Sequence, residues 1–253
     1  MIKIRNILYL TLACIFLCQA TSNAQDARQI VERAEEKYRG VTSAISEVTL
    51  TIKRPKWSRQ LRMKSWSKGY DHSMVLITYP ANEKGTAFLK KHDDAWNWVP
   101  SIERTIKLSP SMMMQSWMGS DFTNDDFVRE SSLVRDYVHS LLDDSDIGES
   151  RCYTVKLIPK PDAPVVWGKV ILYIDKEEFI QMKGEMYDED GELVKVMHAR
   201  STAVMDGRRI ATRVELVPMD KDGYSTVMEI DEISFDRPIS DSFFTTQNMR
   251  TIQ

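Results

Sequence analysis

The feature that most restricts this chain is a change of period. Up to Gly40 the apolar residues recur at helical spacing; beyond it they alternate with polar ones. Val48, Leu50 and Ile52 alternate with Thr49, Thr51 and Lys53, and Leu61 and Met63 with Arg62 and Lys64. Trp96 and Trp98 flank Asn97, and Ile102, Arg104, Ile106 and Leu108 share one parity. The alternation continues through 153–157, 170–174, 181–188, 193–203, 212–218 and 225–235. Asp190-Gly191, Asp206-Gly207 and Asp222-Gly223 are hairpin turns between the last of these segments, and His92-Asp93-Asp94 is another turn. The pattern predicts about ten strands in an antiparallel meander.

One helix precedes them. Asp26 is an N-cap, Ala27, Ile30, Val31, Ala34 and Tyr38 form an apolar stripe, and Gly40 ends the helix. A sheet of this many strands curls, and a helix only ~10 Å across covers part of its apolar inner face. The expected fold is therefore mainly β: a curved antiparallel sheet around an amphipathic N-terminal helix. Whatever the helix leaves uncovered is packed by loops or remains as a cavity. Leu50, Ile52 and Met63 are candidate cavity residues on the inner face, as are Trp96 and Trp98, which lie two apart and so share a face.

Residues 1–24 read as a secretory signal peptide. Lys3 and Arg5 precede an apolar run from Ile7 to Leu17, and Ser22-Asn23-Ala24 offers a cleavage site. The run is too short to span a bilayer, and Thr11-Leu12-Ala13 before Cys14 is a weak lipidation signal. Residues 25–253 then form a single domain. Loss of the two basic signal residues takes the net charge from −3 to −5, which argues against a nucleic-acid partner. Cys152 is left alone, in an exported protein without an internal disulfide, and is expected to be a small buried residue in a strand. The expected compartment is the periplasm of a Gram-negative bacterium, and the expected state is a monomer.

Nothing in the chain reads as catalytic. The four histidines, His72, His92, His139 and His198, show no metal-ligand spacing. Ser120 is not in a nucleophile elbow, and no phosphate-binding loop is present. The pairs Asp125-Asp126, Asp143-Asp144 and Glu177-Glu178 read as solvated turns. No catalytic residue, metal or cofactor is assigned, and the chain is not expected to be an enzyme.

The stretch KLSPSMMMQSWMGSDF, 107–122, is the least ordinary segment. Ser109-Pro110 resembles an N-cap and first helical position, and Gly119 a stop. Met112, Met113, Met114, Trp117 and Met118 would make a short helix apolar nearly all round, which must bury against the domain or a ligand. Methionine suits surfaces that fit varied apolar partners. The segment is either a plug in the mouth of the curved sheet or a movable lid whose inner side touches an acylated cargo; the lid is the expectation taken forward. Arg104, inward-facing by its parity, and Asp121 are expected to latch it, because an inward arginine needs a carboxylate.

Trp98-Val99-Pro100 with Arg104 and Ile106, the block from Ser116 to Phe122, Tyr187-Asp188 before Gly191, Asp206-Gly207, and the terminal run from Ile239 to Thr245 together resemble the bacterial outer-membrane lipoprotein-sorting protein family. The resemblance extends over residues 25–253 and implies a LolA/LolB-like fold: an unclosed β-barrel wrapped around helical lids, with an apolar cavity. It implies a periplasmic carrier or chaperone for a lipid or the acyl chains of a lipoprotein, working with an inner-membrane transporter or an outer-membrane acceptor. The alternative is a non-enzymatic envelope sensor or lipid-transporter accessory that binds a protein or peptide with the same concave face.

Overall fold

The computed structural model describes residues 26–39, 42–129, 132–161 and 163–252. The signal-peptide reading of 1–24, with Cys14, Cys18 and the helix stop at Gly40, lies outside the described residues.

Residues 26–39 form helix α1. The strands are β1 (Ser43–Arg54), β2 (Trp57–Lys68), β3 (His72–Tyr79), β4 (Ala87–Lys91), β5 (Asp94–Val99), β6 (Arg104–Lys107), β7 (Tyr137–Leu141), β8 (Ser145–Ile147), β9 (Ser150–Pro159), β10 (Lys169–Asp175), β11 (Gln181–Tyr187), β12 (Leu193–Met205), β13 (Arg208–Pro218) and β14 (Ser225–Phe235). Helix α2 (Thr246–Thr251) ends the described chain. All strands join one 14-stranded antiparallel sheet in the order β6-β5-β4-β3-β2-β1-β14-β13-β12-β11-β10-β9-β7, with β8 on β9. β6 and β7 stand at opposite ends and do not pair, so the barrel is unclosed, as expected.

The turn chemistry holds. Asp206 (φ 42°) and Gly207 (φ 76°) make the two-residue connection between β12 and β13, both in the left-handed region that such a hairpin demands. His92 (φ 55°) turns β4 into β5. β1 pairs with β2 in unbroken register, Leu50 opposite Leu61 and Val48 opposite Met63, so the inward parity of one strand stacks on that of the next.

The inner face buries two apolar clusters. Leu50, Ile52, Leu61 and Ile77 gather around Trp117 at one end. Val155, Leu157, Leu172 and Ile174 gather around α1, which contributes the expected stripe of Ala27, Ile30, Val31 and Ala34. Fully burying each such aliphatic side chain is worth ~1.5–3 kcal/mol. A third cluster lies on the outer face, where Phe244 and Met249 of the C-terminal segment cover Met74, Leu76, Ala87 and Leu89. β3 is therefore buried on both sides: Val75 and Ile77 belong to the inner cluster, Met74 and Leu76 to the outer one. Cys152 is fully buried in β9, as expected, and burial pushes its thiol up to about 11.

Candidate ligand cavity

Between α1 and the segment 110–129 the inner face is not filled. A cavity of about 370 Å³ lies there, open on one side, within the ~300–1,000 Å³ of small-molecule sites. Val31, Ala34 and Tyr38 of α1 form one wall. Val48, Met63 and Val75 from β1–β3 and Leu172, Met197 and Leu216 from β10–β13 form the sides. Phe122 and Phe127 close the far end. Met63, Met186, Met197 and Met228 all line it; unbranched thioether chains can re-pack around varied apolar shapes.

A small polar group interrupts the apolar lining. The Lys195 ammonium donates to Asp126 Oδ2 at 2.5 Å and sits 4.5 Å from the centre of the Trp167 ring. Asp126 Oδ2 also accepts from the Thr123 backbone N–H at 2.7 Å, while Thr123 Oγ1 accepts from the Asp126 N–H at 3.2 Å. That reciprocal pair caps the single π-turn Asp125–Arg129. Glu35 and Arg39 of α1 also line the cavity. Glu35 Oε1 accepts from the Leu133 N–H, and burial together with the Glu35 carboxylate pushes the Tyr70 hydroxyl up to about 12.

Asp125 and Asp126 are thus not a solvated turn: both line the cavity, and Asp125 is buried. Capping and an ion pair make the Asp126 carboxylate tolerable inside, which the sequence pattern alone does not signal.

The segment 110–122 is a plug. The expected short helix is replaced by two 3-10 turns, Pro110–Met112 and Trp117–Gly119. Met118 (φ 51°) and Gly119 (φ 76°) are left-handed and break any helix there. Trp117 is fully buried (0% exposed) and Met113 nearly so, both in the cluster with Leu50 and Ile52. Trp117 stacks on Phe127 at 4.1 Å between ring centres and lies 5.4 Å from Phe88. Met112 and Met118 pack partly against the same cluster, whereas Met114 is 51% exposed. None of these five residues lines the cavity; Phe122 at the end of the plug and Phe127 on the π-turn beyond it face the cavity instead. Leu50 and Ile52 have the expected inward orientation but are sealed under the plug. Of the cavity residues read from sequence, Met63 alone reaches the open space.

Two further expectations are corrected. Trp96 and Trp98 do share a face, but it is the outer one: they pair with Leu89 and Ala87 and pack beneath α2. The inner positions of the same strands are taken by Phe88 and Ala95. Arg104 does not latch the plug. It is exposed on the edge strand β6, opposite Val99, with Ile106 also exposed. At a sheet edge this parity has nothing to bury against. Asp121 takes a different arginine. Arg54 Nη1 donates to Asp121 Oδ2 at 3.0 Å, with both side chains largely buried, and Arg54 Nη2 donates to the Gly119 carbonyl at 2.9 Å. Thr226 Oγ1 donates to Asp121 Oδ2 at 2.6 Å, and Arg59 donates to the Met118 carbonyl. The Met-Gly-Ser-Asp-Phe block is the stitched end of the plug. A signal for Arg54 is present in the sequence, since it shares the inward parity of Leu50 and Ile52.

Among the described residues no group of three or more His, Cys, Asp or Glu could hold a metal ion, and no helix is long and apolar enough to cross a membrane.

A family model described as "-like: Uncharacterized protein" matches residues 69–251, well over half of the chain. No curated protein matches. Among solved structures, a LolA superfamily protein from Nitrosomonas europaea is 28% identical, with a TM-score of 0.76 over 87% of this chain and 98% of its own. A DUF1329 family protein from Desulfovibrio piger is 20% identical, with a TM-score of 0.81 over 90% of this chain and 99% of its own. A putative outer membrane lipoprotein-sorting protein domain from Vibrio parahaemolyticus is 21% identical, with a TM-score of 0.79 over 90% and 100%. The chain belongs to the family that this model defines, and its fold is that of the LolA-like, outer-membrane lipoprotein-sorting proteins.

Proposed function

We propose that the protein is a non-enzymatic periplasmic carrier that holds an acyl chain of a lipid or lipoprotein in the cavity between α1 and the plug. The observation that supports this best is the lining: four methionines on four different strands around an apolar space of about 370 Å³. Each methylene that an acyl chain buries there contributes ~0.8 kcal/mol, so useful affinity needs no charged anchor. The LolA-like fold is in keeping with such a role. Loading and unloading would involve an inner-membrane transporter and an outer-membrane acceptor.

A second reading has its own observation. Val138 and Ile158 face each other across the edge pair β7–β9 and are both exposed. An apolar pair at a free sheet edge fits an envelope sensor or transporter accessory that binds a protein. Native mass spectrometry of protein purified from its own envelope separates the two. A co-purifying lipid or acylated peptide is the carrier's result; an empty protein with a bound polypeptide on the β7 edge sinks the carrier reading.

A further inference from the structure

Lys195 is placed where a carrier of plain hydrocarbon would have no use for it. It is 3% exposed and lines the cavity from β12. An ammonium has three N–H donors. Asp126 Oδ2 takes one and the Trp167 ring covers another direction. These are its partners among the described residues, and its side chain lies in the cavity wall. A buried donor favours an acceptor strongly.

The charge of the site decides which acceptor. Among the described residues the carboxylates lining the cavity are Glu35, Asp125 and Asp126, and the cations are Arg39 and Lys195. Lys195 is neutralised by Asp126, which the Thr123 N–H holds in place. A ligand carboxylate would bring a second anion against Asp126 in a space of low dielectric, where like charges repel strongly. A neutral carbonyl oxygen brings no charge and still completes the lysine.

We infer that Lys195 recognises the carbonyl oxygen at the root of an acyl chain, so that the cavity selects chains in ester or amide linkage over free fatty acids. The inference rests on the cavity being the acyl site. Ester-linked lipids and amide-linked acyl chains of a lipoprotein share this chemistry, and Asp126, by fixing the ammonium, is a positioning residue.

The test displaces a neutral fluorescent probe, N-phenylnaphthylamine, from the whole protein. The competitors are methyl dodecanoate, N-methyldodecanamide, sodium dodecanoate and dodecyl chloride, which has no carbonyl. The wild type should bind the ester and the amide about tenfold more tightly than the chloride, the scale of one hydrogen bond from a charged donor, and the free acid no better than the ester. Lys195→Met alone strands the Asp126 carboxylate and can cost the fold, so the informative variant is Lys195→Met/Asp126→Asn. The asparagine side-chain oxygen keeps an acceptor for the Thr123 N–H. In that variant the carbonyl preference should vanish, the ester and the amide binding no more tightly than dodecyl chloride. A preference for dodecanoate in the wild type, or a carbonyl preference that survives in the variant, overturns the inference and leaves the carrier reading standing. Failure of every competitor, with probe binding absent too, overturns the carrier reading and the inference with it.

Discussion

The two ends of the inner face are built from similar residues and do opposite things. At the plug end, Trp117, Met113, Leu50 and Ile52 pack together in one buried cluster. At the α1 end, Met63, Met197, Met228 and Leu172 surround a void. Both ends are apolar, both carry methionine and both hold a buried ion pair: Arg54–Asp121 at one, Lys195–Asp126 at the other. The difference is backbone. The plug is sewn to the sheet through the carbonyls of Met118 and Gly119 and the Asp121 carboxylate, whereas α1 lays only a narrow stripe across its end. Hydrophobicity determines what goes inside; the spare backbone determines whether the inside is full.

Breaking the plug should therefore cost stability rather than binding. Trp117→Ala removes a fully buried indole and should lower the unfolding free energy by ~3–5 kcal/mol, read by urea denaturation. Probe binding per folded molecule should change little. A small stability loss with abolished binding would restore the lid reading.

Arg54→Met removes one partner of a pair whose side chains are 8% and 7% exposed. It leaves Asp121 with an uncompensated charge, at a cost of ~3–5 kcal/mol. Arg104→Leu, on the exposed edge strand, should stay within about 0.5 kcal/mol of wild type. Similar costs for the two would mean that Arg104, not Arg54, supports the plug.

Trp98→Ala acts on the outer face, beneath α2. A loss of about 1–2 kcal/mol is expected, together with faster amide exchange in 246–251 and unchanged probe affinity. Weaker probe binding would place the tryptophan pair against the ligand after all.

The smallest effect is that of pH. His72, His139 and His198 are each held below the usual imidazole range, chiefly by burial. The unfolded chain therefore takes up these protons first on acidification, near pH 6.5. Stability is full above that pH and falls as pH drops toward the lowered folded values. Melting temperatures should be lower at pH 5.5 than at pH 7.5, and a rise instead would mean that the folded state holds these protons more tightly.

Much of the fold was legible because half-buried strands announce themselves by alternation, as Val48, Leu50 and Ile52 do, and because Asp-Gly permits few turns. The strands that escaped lack that signature. Met74-Val75-Leu76-Ile77 of β3 and Ala87-Phe88-Leu89 of β4 are covered on both faces and show no alternation, while β7 and β8 are short. The site was less legible. A cluster of methionines in a loop draws the eye, but those that line the cavity are spread one to a strand, at positions 63, 186, 197 and 228. No local pattern states that four inward methionines face a void rather than one another. The latch failed for a related reason: parity assigns a face only where the strand has a covered face, and β6 is an edge.

The most direct test sets one variant at each end of the inner face against the other. Met197→Trp places a bulky ring in the cavity, at an expected cost of ~1–3 kcal/mol for overpacking, and Trp117→Ala empties the plug. In a titration with a fluorescent acyl probe, Met197→Trp should stay folded and lose binding, while Trp117→Ala should be markedly less stable and keep it. If Met197→Trp binds the probe like wild type and Trp117→Ala, still folded, does not, the ligand lies at the plug and the cavity beside α1 is not the acyl site.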